Sequence, residues 1–488
     1  MMLTPPSRIF DRDREWADLS AFAGRPSAGP RIGIVYGRRR QGKSFLLRAL
    51  TDANGGLYHQ ALEEDGAAAL TTLGATIAAD AGLSVPAVLR TWDAAIRELV
   101  VRAGEERVIV LDEFPFMLQK APELESVVQR AYDEARDGRI PAFRLLLCGS
   151  AISIMGRLLS GARPLRGRAV LDLVVAPFDF RTAARFWGID DPETAFLVHA
   201  VVGGTPGYRD LLEGEVPAAP GELLDWLAAG VLNPSHALFT EDIYLLTEDP
   251  AITDRALYQS VLAEIAAGRH TTREVGAALA RTDQAMQHPL SVLERAGFVR
   301  READVLLAKR PILRIADPML RFHHAVIRSD RHRFAERRAA EAWSYARSRF
   351  ESGVLGPHFE DLCREWVRRF ASPSTLGGRA GRVGSTAVND REARRRFEID
   401  VAVTDAEAAG ERPTLLAIGE AKGGAAAVGE GELDRLERLR TVLAERADTR
   451  RTRLLLFGRA GFDRGLRRRV AGRADVVLVD LGRLYSGD

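Results

Sequence analysis

Two clusters of residues have the types and spacing that chemistry needs. The first is Gly37-Arg-Arg-Arg-Gln-Gly42-Lys43-Ser44, a match to G-x-x-x-x-G-K-[ST]. Its glycines let backbone N–H groups turn inward on phosphates, Lys43 offers a point charge to the terminal ones, and Ser44 offers a hydroxyl to Mg²⁺. The pattern alone also occurs in Gly-rich turns. Here it follows the apolar run RIGIVY and precedes a helical stretch at 44–53, as a phosphate loop requires. Arg38, Arg39 and Arg40 are expected to face solvent, because such a loop works through its backbone. Farther on, Val108-Ile-Val-Leu-Asp112-Glu113 is an apolar strand closing on two acids. Asp112 is placed to hold Mg²⁺ and Glu113 to orient or deprotonate a water. Acids at a strand end are often plain helix caps, but the loop upstream outweighs that reading. Ser150, after the run at 143–149, is either a sensor between Glu113 and the terminal phosphate or the cap of the next helix.

The second cluster lies near the C-terminus. Asp400, in EIDVAV, is followed 20 positions later by Glu420-Ala-Lys422. In a strand, Glu420 and Lys422 project from the same face. Two carboxylates there hold one or two Mg²⁺ ions, and the lysine steadies an attacking water or phosphate charge. Glu360, in HFEDLCREW, stands where a helix supplies a further acid. This arrangement resembles that of PD-(D/E)xK nucleases, although D…ExK recurs by chance and degenerate versions survive as binding modules. Residues 364–396 hold nine arginines against three acids, a local balance of +6. Such a stretch suits tracking a DNA backbone without sequence preference, with Arg394, Arg395 and Arg396 as the expected contacts. A solvated loop is the plainer alternative.

The elements that must position these residues follow from periodicity. The runs RIGIVYG, RVIVLDEF and FRLLLCGS are apolar on consecutive residues, which predicts parallel strands buried on both faces. Helical stretches at 44–53 and 91–102 separate them, so residues 1–175 read as a doubly wound α/β core. Residues 176–245 read as a helical lid broken by the turn GGTPG. In 246–328, a helix at 257–266, the capping box Thr271-x-x-Glu274, a third helix capped by Thr282 and the alternating FVRREADVLLAKRP predict a winged helix-turn-helix. Its third helix carries Gln284, Gln287, His288 and Arg295 but also Pro289, and no base-reading cluster stands out. Residues 329–350 read as a connecting helix, and 351–488 as a second α/β domain, with the Gly- and Ser-rich stretch 371–389 expected to be a loop.

The motifs of the first segment, with Asp11-Arg12-x-x-Glu15 before the loop, LLLCGSAISIM, PLRGR and the later IADPMLRFHH, resemble the archaeal-type ATPase family of the AAA+/STAND group. The resemblance covers most of the chain. It implies ATP and Mg²⁺ as cofactors, and places the box at 10–15, with Arg12, and Pro206 of GGTPG near the adenine. It also suggests Arg168, with Arg166 and Arg163 as alternatives, as a candidate for reading the terminal phosphate in a neighbouring subunit of a nucleotide-dependent homo-oligomer; a plain surface arginine is the alternative role. The coexistence of the two sites in one chain suggests an ATPase controlling a metal-dependent nuclease. The alternative is a STAND-like switch whose last domain binds without cutting.

Composition narrows the classes. A length of 488 residues exceeds one core, and a net charge of +2 excludes a globally polybasic binder. No apolar run approaches the roughly 18 residues of a membrane span, and no secretory signal is visible. Cys148 and Cys363 lack metal-ligand spacing, and a reducing cytoplasm is expected.

Overall fold

The computed structural model describes all residues except 1–2, 26–28, 308–310, 391–393 and 409–411. Two compact units emerge: residues 1–177 with 205–208 and 244–253, and residues 178–204, 209–243 and 254–488.

The first unit is built on strands β1 (Arg31–Tyr36), β2 (Leu57–Gln60), β3 (Val108–Asp112), β4 (Arg144–Gly149) and β5 (Ala169–Val174). They form one parallel sheet in the order β2-β3-β4-β1-β5. The consecutive apolar residues are explained by the two faces. Ile32, Ile34, Ile109, Leu111, Leu145 and Leu147 enter one core with helices Trp92–Ala103 and Leu124–Arg136. Val35, Val108, Val110, Leu146 and Cys148 enter the other with helices Asp13–Gly24 and Lys43–Asn54. Alternate side chains thus serve opposite layers, and each strand leaves its last residues at the same end of the sheet.

In the second unit, Asp179 and Asp191 cap the helices Phe180–Trp187 and Pro192–Val202. Helices Arg255–Ala266, Thr272–Ala278 and Asp283–Arg295 precede an antiparallel pair, β6 (Val299–Glu302) and β7 (Ile312–Ile315). Thr271 and Glu274 form the capping box, and Thr282 accepts the Ala285 N–H. Part of the stretch expected to be the hairpin, 308–310, lies outside the described residues. The single connecting helix expected at 329–350 is instead two helices, Arg328–Ala335 and Ala339–Arg349, with Arg337 at φ +60° between them. A left-handed residue cannot continue a right-handed helix.

The chain ends in a mixed sheet of β8 (Ala380–Asp390), β9 (Arg395–Asp405), β10 (Leu415–Lys422), β11 (Arg453–Gly458) and β12 (Val476–Asp480), ordered β12-β11-β10-β9-β8. The first three run antiparallel to one another and the last three parallel. The loop expected at 371–389 is therefore wrong over its second half, where β8 pairs along β9. Its Gly and Ser residues signal a turn locally, but breaks in register at 380/383 and 384/386 absorb them. Gly384, Thr386, Val388 and Asp390 are then buried in alternation. Among the described residues, no helix is long and apolar enough to cross a membrane.

Candidate nucleotide site and C-terminal carboxylate pair

The loop 37–44 joins β1 to helix Lys43–Asn54. Gly42 sits at φ +91°, and a Cβ on Gly37 would collide with the Val175 carbonyl oxygen, so both positions need glycine. Lys43 is buried, and its Nζ donates to the Arg38 carbonyl at 2.9 Å. Buried Gln41 donates through Nε2 to Thr205 Oγ1 at 3.2 Å, and the Gly207 N–H donates to the Arg40 carbonyl at 3.0 Å. Pro206 lies in the chain between these two contacts. Arg12 is buried as well: it pairs with Glu15 at 2.8 Å and donates to the carbonyls of Ala176 (2.8 Å) and Gln41 (3.4 Å). Arg39 is half-exposed but pairs with Glu248 at 2.9 Å rather than standing alone in solvent.

Because β4 lies between β1 and β3, the ends of all three strands converge. Ser150 follows β4 and donates through Oγ to Glu113 at 3.1 Å. Glu113 follows β3 at φ +53°. Its pKa is raised by burial and by Asp112, against the opposing pull of Lys43. The Tyr58 hydroxyl bonds the Asp112 carboxylate and also meets Ser44, and burial and Asp112 hold its pKa up. Cys148 is buried beside the same group, and its thiol is likewise pushed up. Lys43, Ser44, Asp112, Glu113 and Ser150 thus occupy one site, joined by Tyr58, which nothing in the sequence singles out. A loop that needs glycine at Gly37 for space and at Gly42 for its positive φ, together with a buried lysine, fits a polyphosphate. Arg168 pairs with Asp133 at 3.0 Å and lies over the Tyr132 ring, while Arg163 pairs with Glu125 at 3.1 Å and Arg166 donates to the Gly161 carbonyl.

In the second unit, β9 and β10 pair with Gly419 opposite Val401, which brings Asp400 and Glu420 side by side. Asp400 accepts the Ala421 N–H at 2.8 Å. Burial first, then the carboxylates of Glu420 and Glu360, raise its pKa to about 7. Glu420 binds Lys422 (2.8 Å) and Arg435 through Oε1, while its buried Oε2 has no hydrogen-bond partner. Lys422 also reaches Glu432 at 3.4 Å. Glu360, on helix Gly356–Arg369, takes Arg314 at 3.1 Å and Arg364 at 3.5 Å, and Arg364 donates to the Asp400 carbonyl at 3.0 Å. Asp400, Glu420, Lys422 and Glu360 are therefore brought near one another, with Glu420, Lys422 and Glu360 engaged in ion pairs. Among the described residues, no group of three or more His, Cys, Asp or Glu is arranged to hold a metal. Glu420 keeps Oε2 without a hydrogen-bond partner while Lys422 and Arg435 hold its Oε1. Nothing in the sequence marks Arg435 as its partner. Arg394, Arg395 and Arg396 are exposed, with Arg395 over the Phe397 ring; Arg391 and Glu392 of the same basic stretch lie outside the described residues.

Comparison with known proteins bears on the first unit most. Residues 29–183 match the family model described as AAA domain. An uncharacterized protein of Methanocaldococcus jannaschii is 25% identical over 244 residues, covering 50% of this chain and 51% of that protein. The chain thus spans about half the length of the curated relative it matches. Among solved structures, the Walker-type ATPase of Pyrococcus abyssi superposes with a TM-score of 0.50 at 20% identity, covering 66% of this chain and 98% of that one. The Aeropyrum pernix ORC2 protein, solved in ADPNP–ADP complexes, gives a TM-score of 0.42 at 16% identity, covering 71% and 97%. With the phosphate loop, the β2-β3-β4-β1-β5 order and the Asp112–Glu113 strand end in place, residues 29–183 match an AAA domain and carry the fold and motifs of a P-loop ATPase core.

Proposed function

We propose that the first unit binds and hydrolyses ATP with Mg²⁺, and that this cycle governs metal-dependent DNA cleavage centred on Asp400 and Glu420. The first half is supported by the convergence of Lys43, Ser44, Asp112, Glu113 and Ser150 at one sheet end. Ser44 and Asp112 would hold Mg²⁺, which when bound neutralises charge developing on the phosphates. Glu113, raised in pKa and steered by Ser150, orients the attacking water and accepts its proton. Gln41, Thr205 and Arg12 hold the loop in shape, with Arg12 and Pro206 on the side taken for the base.

The observation that carries the second half is the acid pair itself. Two carboxylates lie side by side. Asp400, raised to about 7, has no cation paired to its carboxylate among the described residues. Glu420 keeps a buried Oε2 without a partner, although Lys422 and Arg435 hold its Oε1. A divalent cation would find an open oxygen on one acid and would favour the charged form of the other. Lys422 and Arg435 beside them would offset charge on a bound phosphodiester, and Arg394, Arg395 and Arg396 would grip the backbone. The test is plasmid incubated with Mg²⁺ or Mn²⁺ and ATP, comparing wild type, Asp400→Ala and Lys43→Ala. Cutting lost in both variants supports the coupling. Equal cutting by wild type and Asp400→Ala eliminates it.

One observation favours a second reading. Glu360, Glu420 and Lys422 are all engaged in ion pairs, as expected of a domain that keeps the fold and binds without cutting. The chain is then a STAND-like switch in which ATP drives self-association, with Arg168 leaving Asp133 to reach a neighbouring copy. A mass that is the same with ADP and with a non-hydrolysable ATP analogue rules that reading out.

A further inference from the structure

The second unit contains a cavity of about 650 Å³ that belongs to neither site. It lies between helix Arg255–Ala266 and the segment from β7 through residue 357. Its charged lining is basic: Arg314, Arg321, Arg328 and Arg349, with His270 and His324, and no acid among the described residues. Ile265, Ala266, Ile315, Ala325 and Pro357 supply an apolar wall.

Two of the polar groups are incompletely satisfied although deeply buried. His324 is 5% exposed, and neither ring nitrogen has a hydrogen-bond partner. Arg321, also 5% exposed, spends Nη2 on the Ile315 carbonyl and Asp361 but leaves Nη1 without a partner. Native interiors rarely leave such groups unmatched, and the cost is greatest where charge is concerned. Burial and the neighbouring Arg328 keep His324 neutral, with a pKa of about 3, so the ring can donate at one nitrogen and accept at the other.

We propose that this cavity binds a phosphorylated small molecule of nucleotide size. Guanidinium groups match phosphate oxygens in pairs, and a lining with four arginines and no acid suits a multiply charged anion. The volume falls within the roughly 300–1,000 Å³ typical of small-molecule sites, larger than one phosphate needs. The apolar wall receives the uncharged ring, and His324 bonds a hydroxyl or an oxyanion. Arg314, Arg321 and Arg349 also hold Glu360, Asp361 and Asp330, so a bound anion competes with those carboxylates for the same guanidinium groups. The proposal does not rest on the nuclease reading.

Calorimetric titration of the full chain carrying Lys43→Ala, which weakens the nucleotide loop, tests it with pyrophosphate, AMP and ADP as probes. At least one probe should bind at a single site. Adding Arg328→Ala, at an exposed position, should weaken binding about tenfold or more, roughly 1.4 kcal/mol. His324→Phe, which keeps a ring of similar size, should do the same. Absence of binding by all three probes overturns the proposal, as does binding that neither substitution changes.

Discussion

Asp400 sits where the two readings of the C-terminal unit diverge. It ionises near the ordinary carboxylate value when unfolded but at about 7 when folded, because burial and two neighbouring carboxylates disfavour its charge. Between about pH 4 and 7 the folded chain therefore holds a proton that the unfolded chain has released. Stability must fall as pH rises through that window. Asp400→Asn is expected to raise the melting temperature at pH 8 in the absence of divalent ions, by about 2–4 °C. The gain should shrink at pH 5, where the native residue is already protonated. Differential scanning fluorimetry at the two pH values reads this, and a lower melting temperature for the variant at pH 8 refutes it. Mn²⁺ should raise the wild-type value at pH 8 and do little at pH 5, since the proton and the cation compete for one carboxylate. An unresponsive wild type at pH 8 favours the non-cutting module.

At the scale of elements, the phosphate loop is held by backbone geometry as much as by its lysine. Gly37→Ala places a Cβ against the Val175 carbonyl oxygen and forces the β1 end away from β5. Nucleotide affinity is expected to drop at least tenfold, about 1.4 kcal/mol, while far-UV circular dichroism stays the same; unchanged binding of a fluorescent ATP analogue contradicts this. Which elements can be read from sequence follows the same physics. RIGIVY, VIVLD and RLLLCG declare themselves because a strand covered on both faces must be apolar at every position. Ser150 is legible for the same reason, as the first polar residue after such a run. β8 is not, because GRVGSTAVND owes its extended form to pairing with β9, and pairing leaves no local mark. Tyr58 and Arg435 escape likewise: each meets its acid across strands or from a helix far away in sequence, and an isolated Tyr or Arg is usually surface or packing. Lys422 is marked by its spacing from Glu420, yet that spacing does not foretell that the two bond each other.

For the whole molecule, a net charge of +2 means that the DNA affinity proposed above has to be concentrated locally. Replacing Arg394, Arg395 and Arg396 together by Gln is expected to weaken duplex binding at about 0.1 M salt. It should also make the slope of log K against log salt shallower, by about 0.9 for each phosphate no longer neutralised. Fluorescence anisotropy over a salt series measures both, and an unaltered slope assigns the DNA-binding surface elsewhere. The edge of the C-terminal sheet carries a consequence of another kind. Residues 304 and 305 bond β8 from outside, with the Val305 N–H on the Ser385 carbonyl and Asp304 accepting from Thr386 and from the Ala387 N–H. Arg300, Arg314 and Arg321 meanwhile reach Asp361 and Glu360 on helix Gly356–Arg369. A fragment cut at 351 would lose these countercharges and bare a strand edge open to intermolecular pairing. Its insolubility would then say nothing about catalysis. Expression trimmed for biochemistry has to begin upstream of β6, so that the carboxylates and the arginines that balance them are translated as one folding unit.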